Sequence, residues 1–240
     1  MTMGIQLSSV SASYQGKTAL KDITTLLPKG QIIGVIGPNG AGKSTLIKSI
    51  IDLKKHTGTV NFMGQALTAV QKEIAYVEQR SSLDLDFPVS VFETVLMGTY
   101  PKLGLIKRPG AKEKQATHDA LVRVGMEEYA DKQIGELSGG QLQRVFIARV
   151  VAQDADWIFL DEPFVGIDMV SEQIIVDLLK AMRNQGKTIV IVHHDLSKVI
   201  NYFDYLVVLR KSLVASGAVE QVFTKHTLKA AYDTNFSDLD

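Results

Sequence analysis

Apolar and polar residues change their spacing along this chain. Before about Phe87 the apolar residues form short runs or alternate with polar ones, which predicts strands. Further runs of the same kind recur after residue 153, and the last two predict a closing hairpin. The predicted strands are Ile5–Tyr14, Ala19–Leu27, Ile32–Ile36, Gly58–Phe62, Ile74–Val77, Trp157–Leu160, Thr188–Val192, Tyr205–Leu209 and Leu213–Ala215.

Helical spacing appears between and after these strands. Leu46–Ile51, Gly140–Ala152 and Val170–Arg183 predict helices, and the last carries a clear apolar stripe. Phe87–Leu137 predicts a mainly helical insert, interrupted by a loop over Gly98–Gly110. Strands that alternate with helices predict an α/β fold with a largely parallel sheet.

Composition narrows the function classes. The chain has 240 residues, enough for one large or two small domains, and 26 basic residues balance 26 acidic ones. A net charge of zero does not favour nucleic acid, and the absence of cysteine excludes disulfides. The N-terminus lacks a leader pattern, and no apolar stretch approaches the roughly 20 residues of a membrane span. We expect a cytoplasmic protein whose membrane role, if any, comes through a partner.

A phosphate loop follows the third predicted strand and precedes a predicted helix. The stretch fits the pattern G-x-x-x-x-G-K-[ST], whose amides and helix N-terminus attract a polyphosphate. Lys43 is expected at the β- and γ-phosphates of ATP, and Ser44 at Mg²⁺. The alternative is a glycine-rich turn with a solvated lysine. The predicted nucleotide-binding residues here are Gly37, Pro38, Asn39, Gly40, Ala41, Gly42, Lys43, Ser44 and Thr45.

Two carboxylates end the apolar strand Trp157–Leu160. Asp161 can hold Mg²⁺, and Glu162 is placed to act as general base on the water that attacks the γ-phosphate. Alone, these residues could equally be solvated acids at a strand end. A phosphate loop in the same chain favours the functional interpretation.

A second candidate anion site precedes the helix Gly140–Ala152. It consists of Ser138, Gly139, Gly140 and Gln141. The alternative is an ordinary serine N-cap with flexible glycines. One triphosphate does not need two such helix ends from one chain, so two copies could share two triphosphates. The pattern therefore predicts a homodimer.

The phosphate loop, then Leu137–Gln141, then Asp161–Glu162, in this order and spacing along the chain, resemble the ATP-binding subunit of ATP-binding-cassette (ABC) transporters over about Ile5–Gly217. The resemblance implies a P-loop NTPase core with an N-terminal antiparallel β region and a helical subdomain. The core would comprise 1–86 and 153–217, the helical subdomain with its signature helix 87–152, and a short C-terminal tail 218–240. Four further roles are implied by motif: Tyr14 stacks on adenine, Gln79 senses Mg²⁺ and the attacking water, Asp168 communicates between the two sites, and His194 contacts the γ-phosphate.

The pair His193–His194 is predicted at a strand end, where neighbouring side chains point to opposite faces. Only one ring could then face the nucleotide. The family pattern sets its histidine before an aspartate, here Asp195, which selects His194.

Three stretches of the chain are similar to subunits that drive manganese, zinc or iron uptake. They are the segment around Gln79, Val95–Gly98 and Pro163–Asp168. The resemblance implies two permease copies in the membrane, a peripheral position on its inner face and an external metal-binding protein. Glu78 departs from the family, which commonly has proline there. The alternatives are a soluble cassette ATPase that serves as a scaffold in cofactor assembly and, more distantly, a small-molecule kinase.

The segment Arg80–Pro88 alternates apolar and acidic residues. It could be an edge strand whose acids face water or a socket for a basic, amphipathic helix of a partner. Its position after Gln79 and its resemblance favour a socket for a cytoplasmic helix of the permease, with Phe87 as anchor.

Overall fold

A computed structural model describes residues 3–79, 87–104 and 107–232. Residue contacts divide the chain into two compact units. Unit 1 comprises Met1–Gln71 and Gly186–Asp240, and unit 2 comprises Lys72–Gln185. These limits differ from the predicted subdomain boundaries, which stay a prediction. None of the helices in the described ranges is long and apolar enough to cross a membrane.

Unit 1 contains an antiparallel sheet of strands β1 (Gly4–Tyr14), β2 (Lys17–Pro28) and β4 (Thr57–Phe62). The strand order is β2-β1-β4. Gln15 and Gly16 alone separate β1 from β2, with φ of 47° and 79°. Two positive φ angles in a two-residue loop match the twist of the paired strands. This tight hairpin fixes the position of Tyr14 at its tip.

The second sheet of unit 1 holds the parallel core. Strand β3 (Ile32–Ile36) lies between β7 (Thr188–Val192) and β8 (Tyr205–Arg210) and is parallel to both. Strand β9 (Ser212–Ala218) returns antiparallel to β8. Every residue of β3 and β7 is buried, as their unbroken apolar runs predict.

The helices of unit 1 surround these strands. Helix α1 follows β3 after the phosphate loop, and the last helix buries Leu228 and Ala231. The acidic end Ser237–Asp240 lies outside the described residues. The helices are α1 (Lys43–Ile50), α2 (Leu67–Val70), α8 (Val199–Tyr202), α9 (Val219–Val222) and α10 (Lys225–Tyr232).

Unit 2 pairs two parallel strands with five helices. Strand β5 (Ile74–Val77) lies beside β6 (Trp157–Asp161), whose five residues are all buried. Two hydrogen bonds tie this pair to its surroundings: Asp156 N to Glu73 O, and Gln153 Nε2 to Ile74 O. The helices are α3 (Val91–Leu96), α4 (Tyr100–Leu103), α5 (Ala111–Arg123), α6 (Gly139–Gln153) and α7 (Met169–Asn184).

The predicted loop Gly98–Gly110 is wrong in its first part. Met97–Thr99 forms a 3₁₀ turn that leads directly into α4. Pro101 is tolerated because it lies in the first turn of α4, where its missing N–H has no helical partner to lose. The α/β class, with an antiparallel region at the N-terminus and a helix-rich segment in the middle, is confirmed.

Candidate functional site

The phosphate loop leaves the buried strand β3 and enters α1 with two close backbone approaches. A Cβ on Gly37, whose φ is 152°, would lie 2.2 Å from the carbonyl oxygen of Leu209. A Cβ on Gly42, whose φ is 96°, would lie 2.5 Å from that of Ala19. Only glycine fits these positions, so the glycines of the motif set the loop against the strands behind it.

Lys43 begins α1 and is almost fully buried. Its Nζ donates hydrogen bonds to the carbonyl oxygens of Gly37 (2.8 Å) and Pro38 (3.1 Å), which curl the loop around the ammonium group. Ser44 beside it is half-buried, and Thr45 is buried. The ammonium group is thus held inside the loop, where a polyphosphate would meet it. The solvated-lysine alternative is wrong.

Two elements that sequence reasoning missed support the loop from unit 1. In the turn between β8 and β9, Lys211 donates its backbone N–H to the Ala41 carbonyl over 2.9 Å. Tyr232, in the last turn of α10, presents its hydroxyl to the backbone N–H of Gly37. No sequence motif indicates either contact, because each joins segments about 170 to 195 residues apart.

Tyr14, the predicted adenine platform, lies at the tip of the β1–β2 hairpin and is 45% exposed. The Nζ of Lys54 lies 3.5 Å from the centroid of its ring. A cavity of about 610 Å³ opens beside this segment, and Ser13, Thr18, Lys54 and His56 contribute to its lining.

The two histidines follow strand β7 and differ in burial. Strand β7 ends at Val192, so both residues follow it, and their ring centroids are only 5.9 Å apart. His193 is buried, with its ring edge-on to that of Phe203 at 5.5 Å. His194 is exposed. The buried ring of His193 thus belongs to the core, whereas the exposed ring of His194 is accessible to a ligand.

In unit 2 the predicted carboxylates occupy the end of β6. Asp161 is the last strand residue and is buried, whereas Glu162 is half-buried. Glu162 has a φ of 52°, a left-handed conformation that is costly for a residue with a side chain. Gln79 follows β5, and its Nε2 donates a 2.9 Å hydrogen bond to the Glu162 carboxylate. Parallel pairing of β5 and β6 thus brings two predicted catalytic residues together.

The second candidate anion site is a regular helix start. Ser138 caps α6: its Oγ accepts from the N–H of Gln141 (3.3 Å), and the Gln141 side chain accepts from the Ser138 N–H (2.9 Å). This reciprocal pair is a capping box. The N-cap interpretation is therefore correct, and it leaves the anion site open as a further role because Ser138 is exposed.

Asp168 caps α7 and contacts the start of α6. Its carboxylate accepts hydrogen bonds from the N–H and the hydroxyl of Ser171, each over 2.8 Å, and the backbone bond is the main reason that the pKa of Asp168 is lowered. A Cβ on Gly140 would lie 2.4 Å from Asp168 Oδ2 and 2.5 Å from Ser171 Oγ. The second glycine of the signature therefore packs directly against this cap.

The predicted site residues fall into two sets. Unit 1 holds the phosphate loop, Tyr14 and His194, and unit 2 holds Gln79, Asp161, Glu162, Asp168 and the signature residues. Phe87 is 61% exposed and lines a cavity of about 330 Å³ in unit 2. The other lining residues are Pro88, Val89, Glu93, Leu96, Met97 and Tyr100. The predicted edge strand or socket over residues 80–86 lies outside the described residues.

A phosphate loop and a strand-end carboxylate pair in one chain define a nucleotide-hydrolysing P-loop protein. Residues 20–165 match the model of the ABC transporter family. The chain belongs to this family, and it is an ATPase. The ABC ATPase fold expected from the motifs is thereby confirmed.

Three known proteins illustrate the relationship. The manganese transport system ATP-binding protein MntB of Listeria innocua is 54% identical over 95% of each chain. The zinc transport system ATP-binding protein TroB of Treponema pallidum is 47% identical over 97% of this chain and 88% of its own. A dimeric post-hydrolysis structure of the ATP-binding cassette MJ0796, bound to ADP and Pi, superposes with a TM-score of 0.78 at 26% identity, covering 90% of this chain and 98% of that one.

Proposed function

We propose that this chain is the ATPase subunit of a transition-metal importer and that manganese is its most favoured cargo. The observation that carries the proposal is the 54% identity to a manganese transport ATP-binding protein along 95% of both chains. A relative named for zinc transport is also similar. Manganese is favoured because more of the similar proteins are named for manganese transport than for zinc transport. Ion selection itself would belong to the permease and to an extracellular metal-binding protein.

The nucleotide would be bound by the residues that the motifs assign to it. Lys43 would exchange its contacts with the loop carbonyls for the β- and γ-phosphates, and Tyr14 would support the adenine. The oxygen groups of Ser44, Gln79 and Asp161 are the kind of ligand that Mg²⁺ prefers. Mg²⁺, when bound, would neutralise charge on the phosphates.

Glu162 would act as the general base. A water attacking the γ-phosphate must lose a proton, and a carboxylate fixed by its neighbours can accept it. The hydrogen bond from the Gln79 carboxamide nitrogen holds one oxygen of the Glu162 carboxylate in place. His194, exposed after β7, would contact the γ-phosphate from unit 1.

Two copies of the chain would work as a head-to-tail homodimer that closes on two molecules of MgATP. Each signature segment, Ser138–Gln141, would then face the nucleotide of the other copy. Exposed apolar side chains next to Asp168 support such an interface, since Met169 is 85% and Val170 71% exposed. The dimeric state of MJ0796 is consistent with this arrangement.

The dimer would be held at the inner face of the membrane by two copies of a permease. The exposed ring of Phe87 and the groove that it lines are suited to a helix of that partner, because aromatic anchors dominate many interfaces. ATP-driven closure of the dimer would then move the permease helices.

The test measures the manganese, zinc and iron content of cells that lack this chain. We expect manganese to fall, recovery with the wild-type chain, and no recovery with Glu162→Gln expressed at the same level. Two results together would favour the cofactor-assembly scaffold instead. The content of all three metals would not change, and the chain would not sediment with membranes when the permease is co-expressed.

A further inference from the structure

Tyr14 and Lys54 form a cation–π pair within unit 1. The Nζ of Lys54 lies 3.5 Å from the centroid of the Tyr14 ring, well inside the roughly 6 Å over which a ring attracts a cation. One face of the ring is therefore covered by the ammonium group. Because 45% of Tyr14 is nevertheless exposed, the ring still offers surface to a ligand.

Lys54 also connects the ring to the element that starts at the phosphate loop. It lies four residues after the end of α1, and its backbone N–H donates a 3.0 Å hydrogen bond to the carbonyl of Lys48 in the last turn of that helix. The start of α1 carries Lys43 and Ser44. A single short segment thus links the predicted phosphate end of the site to the predicted base end.

We propose that Lys54 is a positioning residue for the nucleotide base: it holds the Tyr14 ring from one face while the base stacks on the other. This inference rests on the proposed role of Tyr14 as the adenine platform. Tyr14 is the last residue of β1 before the two-residue hairpin loop, where it pairs with Lys17. A ring fixed in advance loses less conformational entropy when the base binds.

A role of Lys54 at the base and a role at the phosphates predict different changes in ligand affinity. If Lys54 acts through Tyr14, its charge contributes to ATP affinity only where a base is present and only where the ring is present. If Lys54 instead contacts the phosphates, its loss weakens every polyphosphate ligand equally, whatever residue occupies position 14.

The experiment compares dissociation constants of ATP and of inorganic tripolyphosphate, each with Mg²⁺, for the purified full-length chain. Lys54→Met keeps the length of the side chain and removes its charge, and Lys54→Arg restores a cation that can stack on the ring. Lys55→Met is the matched control, since it removes the same charge one position further on. Tyr14→Ala and the double variant Tyr14→Ala/Lys54→Met complete the cycle.

We expect Lys54→Met to weaken ATP binding by about two- to five-fold, the effect of losing one exposed cation–π contact. Tripolyphosphate binding should not change, Lys54→Arg should bind ATP like the wild type, and Lys54→Met should add nothing in the Tyr14→Ala chain. Circular dichroism confirms that each variant is folded.

Three results would overturn the proposal, and they are distinguishable. Equal loss of ATP and tripolyphosphate affinity would assign Lys54 to the phosphates. A strong effect of Tyr14→Ala with none of Lys54→Met would keep the adenine platform and remove Lys54 from it. Unchanged ATP affinity in Tyr14→Ala would refute the platform itself and the role of Lys54 with it.

Discussion

The carboxamide nitrogen of Gln79 donates a 2.9 Å hydrogen bond to a carboxylate oxygen of Glu162. The two residues are 83 positions apart and meet because each directly follows, or nearly follows, one of two paired parallel strands. Glu162 holds this position in a left-handed backbone conformation. A costly conformation at the predicted general base is consistent with geometry maintained for function.

Glu162→Gln should keep ATP binding and lower hydrolysis by roughly 10²–10⁴-fold, because a carboxamide cannot accept the proton of the attacking water. The bound ATP should then persist and trap a dimer that size-exclusion chromatography detects. Glu136→Gln, at an exposed glutamate of the same unit, is the control. A loss of turnover below tenfold would place the base elsewhere.

Lys43→Ala should abolish productive nucleotide binding, because it removes the buried cation around which the loop carbonyls of Gly37 and Pro38 close. Fluorescent ATP titration measures the loss, with Lys29→Ala at an exposed position as control. Near-normal affinity in the variant would be incompatible with a phosphate loop.

His194→Ala and His193→Ala should fail in different assays. His194→Ala should lower the rate of ATP hydrolysis with little change in thermal stability, because the His194 side chain is exposed. His193→Ala should lower the free energy of unfolding by about 2–4 kcal/mol, because it removes a buried ring that packs against Phe203. ATPase assays and urea unfolding on both variants separate the two outcomes. Equal turnover defects in two equally stable variants would contradict the assignment of His194.

Tyr232 should make stability fall at high pH. Burial raises its pKa to about 12 from 10.0, while the Gly37 N–H acts in the opposite direction. Between these values the unfolded chain loses the phenolic proton and the folded chain keeps it, so the free energy of unfolding decreases as pH rises through this window. Below it the contribution is fully present.

The measurement for Tyr232 is urea unfolding at pH 9 and pH 11, values on either side of the ordinary tyrosine pKa of about 10. The wild type should lose more stability between the two than Tyr232→Phe, which has no proton to release. Tyr100→Phe, at a half-exposed ring, is the control and should follow the wild type. Parallel losses in wild type and Tyr232→Phe would contradict the raised pKa.

Phe87→Ala should leave ATP hydrolysis by the isolated subunit largely intact and weaken co-purification of the permease. Its ring is 61% exposed, so the fold does not depend on it, whereas a partner helix could bury it. Leu53→Ala, at a leucine that is 63% exposed in unit 1, controls for the loss of exposed apolar surface. Undiminished permease binding would remove Phe87 from the interface.

The sequence predicted best what depends on local pattern. Strands β3 and β7 were placed to the residue, because an unbroken apolar run bounded by polar residues leaves few alternatives. Helix α4 was missed because Pro101 and Gly104 were taken as loop residues, although proline is compatible with a first helical turn and glycine ends the helix. The motif residues were found because glycine and lysine at this spacing are rare by chance.

What the sequence could not predict depends on tertiary contact. Three contacts join segments of the chain that no sequence motif connects. They are those of the Lys54 ammonium group with the Tyr14 ring, of the Tyr232 hydroxyl with Gly37, and of the Leu209 carbonyl with the phosphate loop. The packing of His193 against Phe203, about ten residues further along the chain, is a tertiary contact of the same kind.

Gly140 leaves no room for a methyl group between the start of α6 and the cap of α7. The start of α6 therefore packs directly against Asp168 and Ser171, with no side chain of residue 140 between them. In the proposed dimer, a change at Asp168 would therefore reach the signature segment Ser138–Gln141 by direct contact within unit 2. Gly140→Ala should therefore displace the Asp168 cap and, in the proposed dimer, lower the cooperativity of ATP hydrolysis measured against ATP concentration.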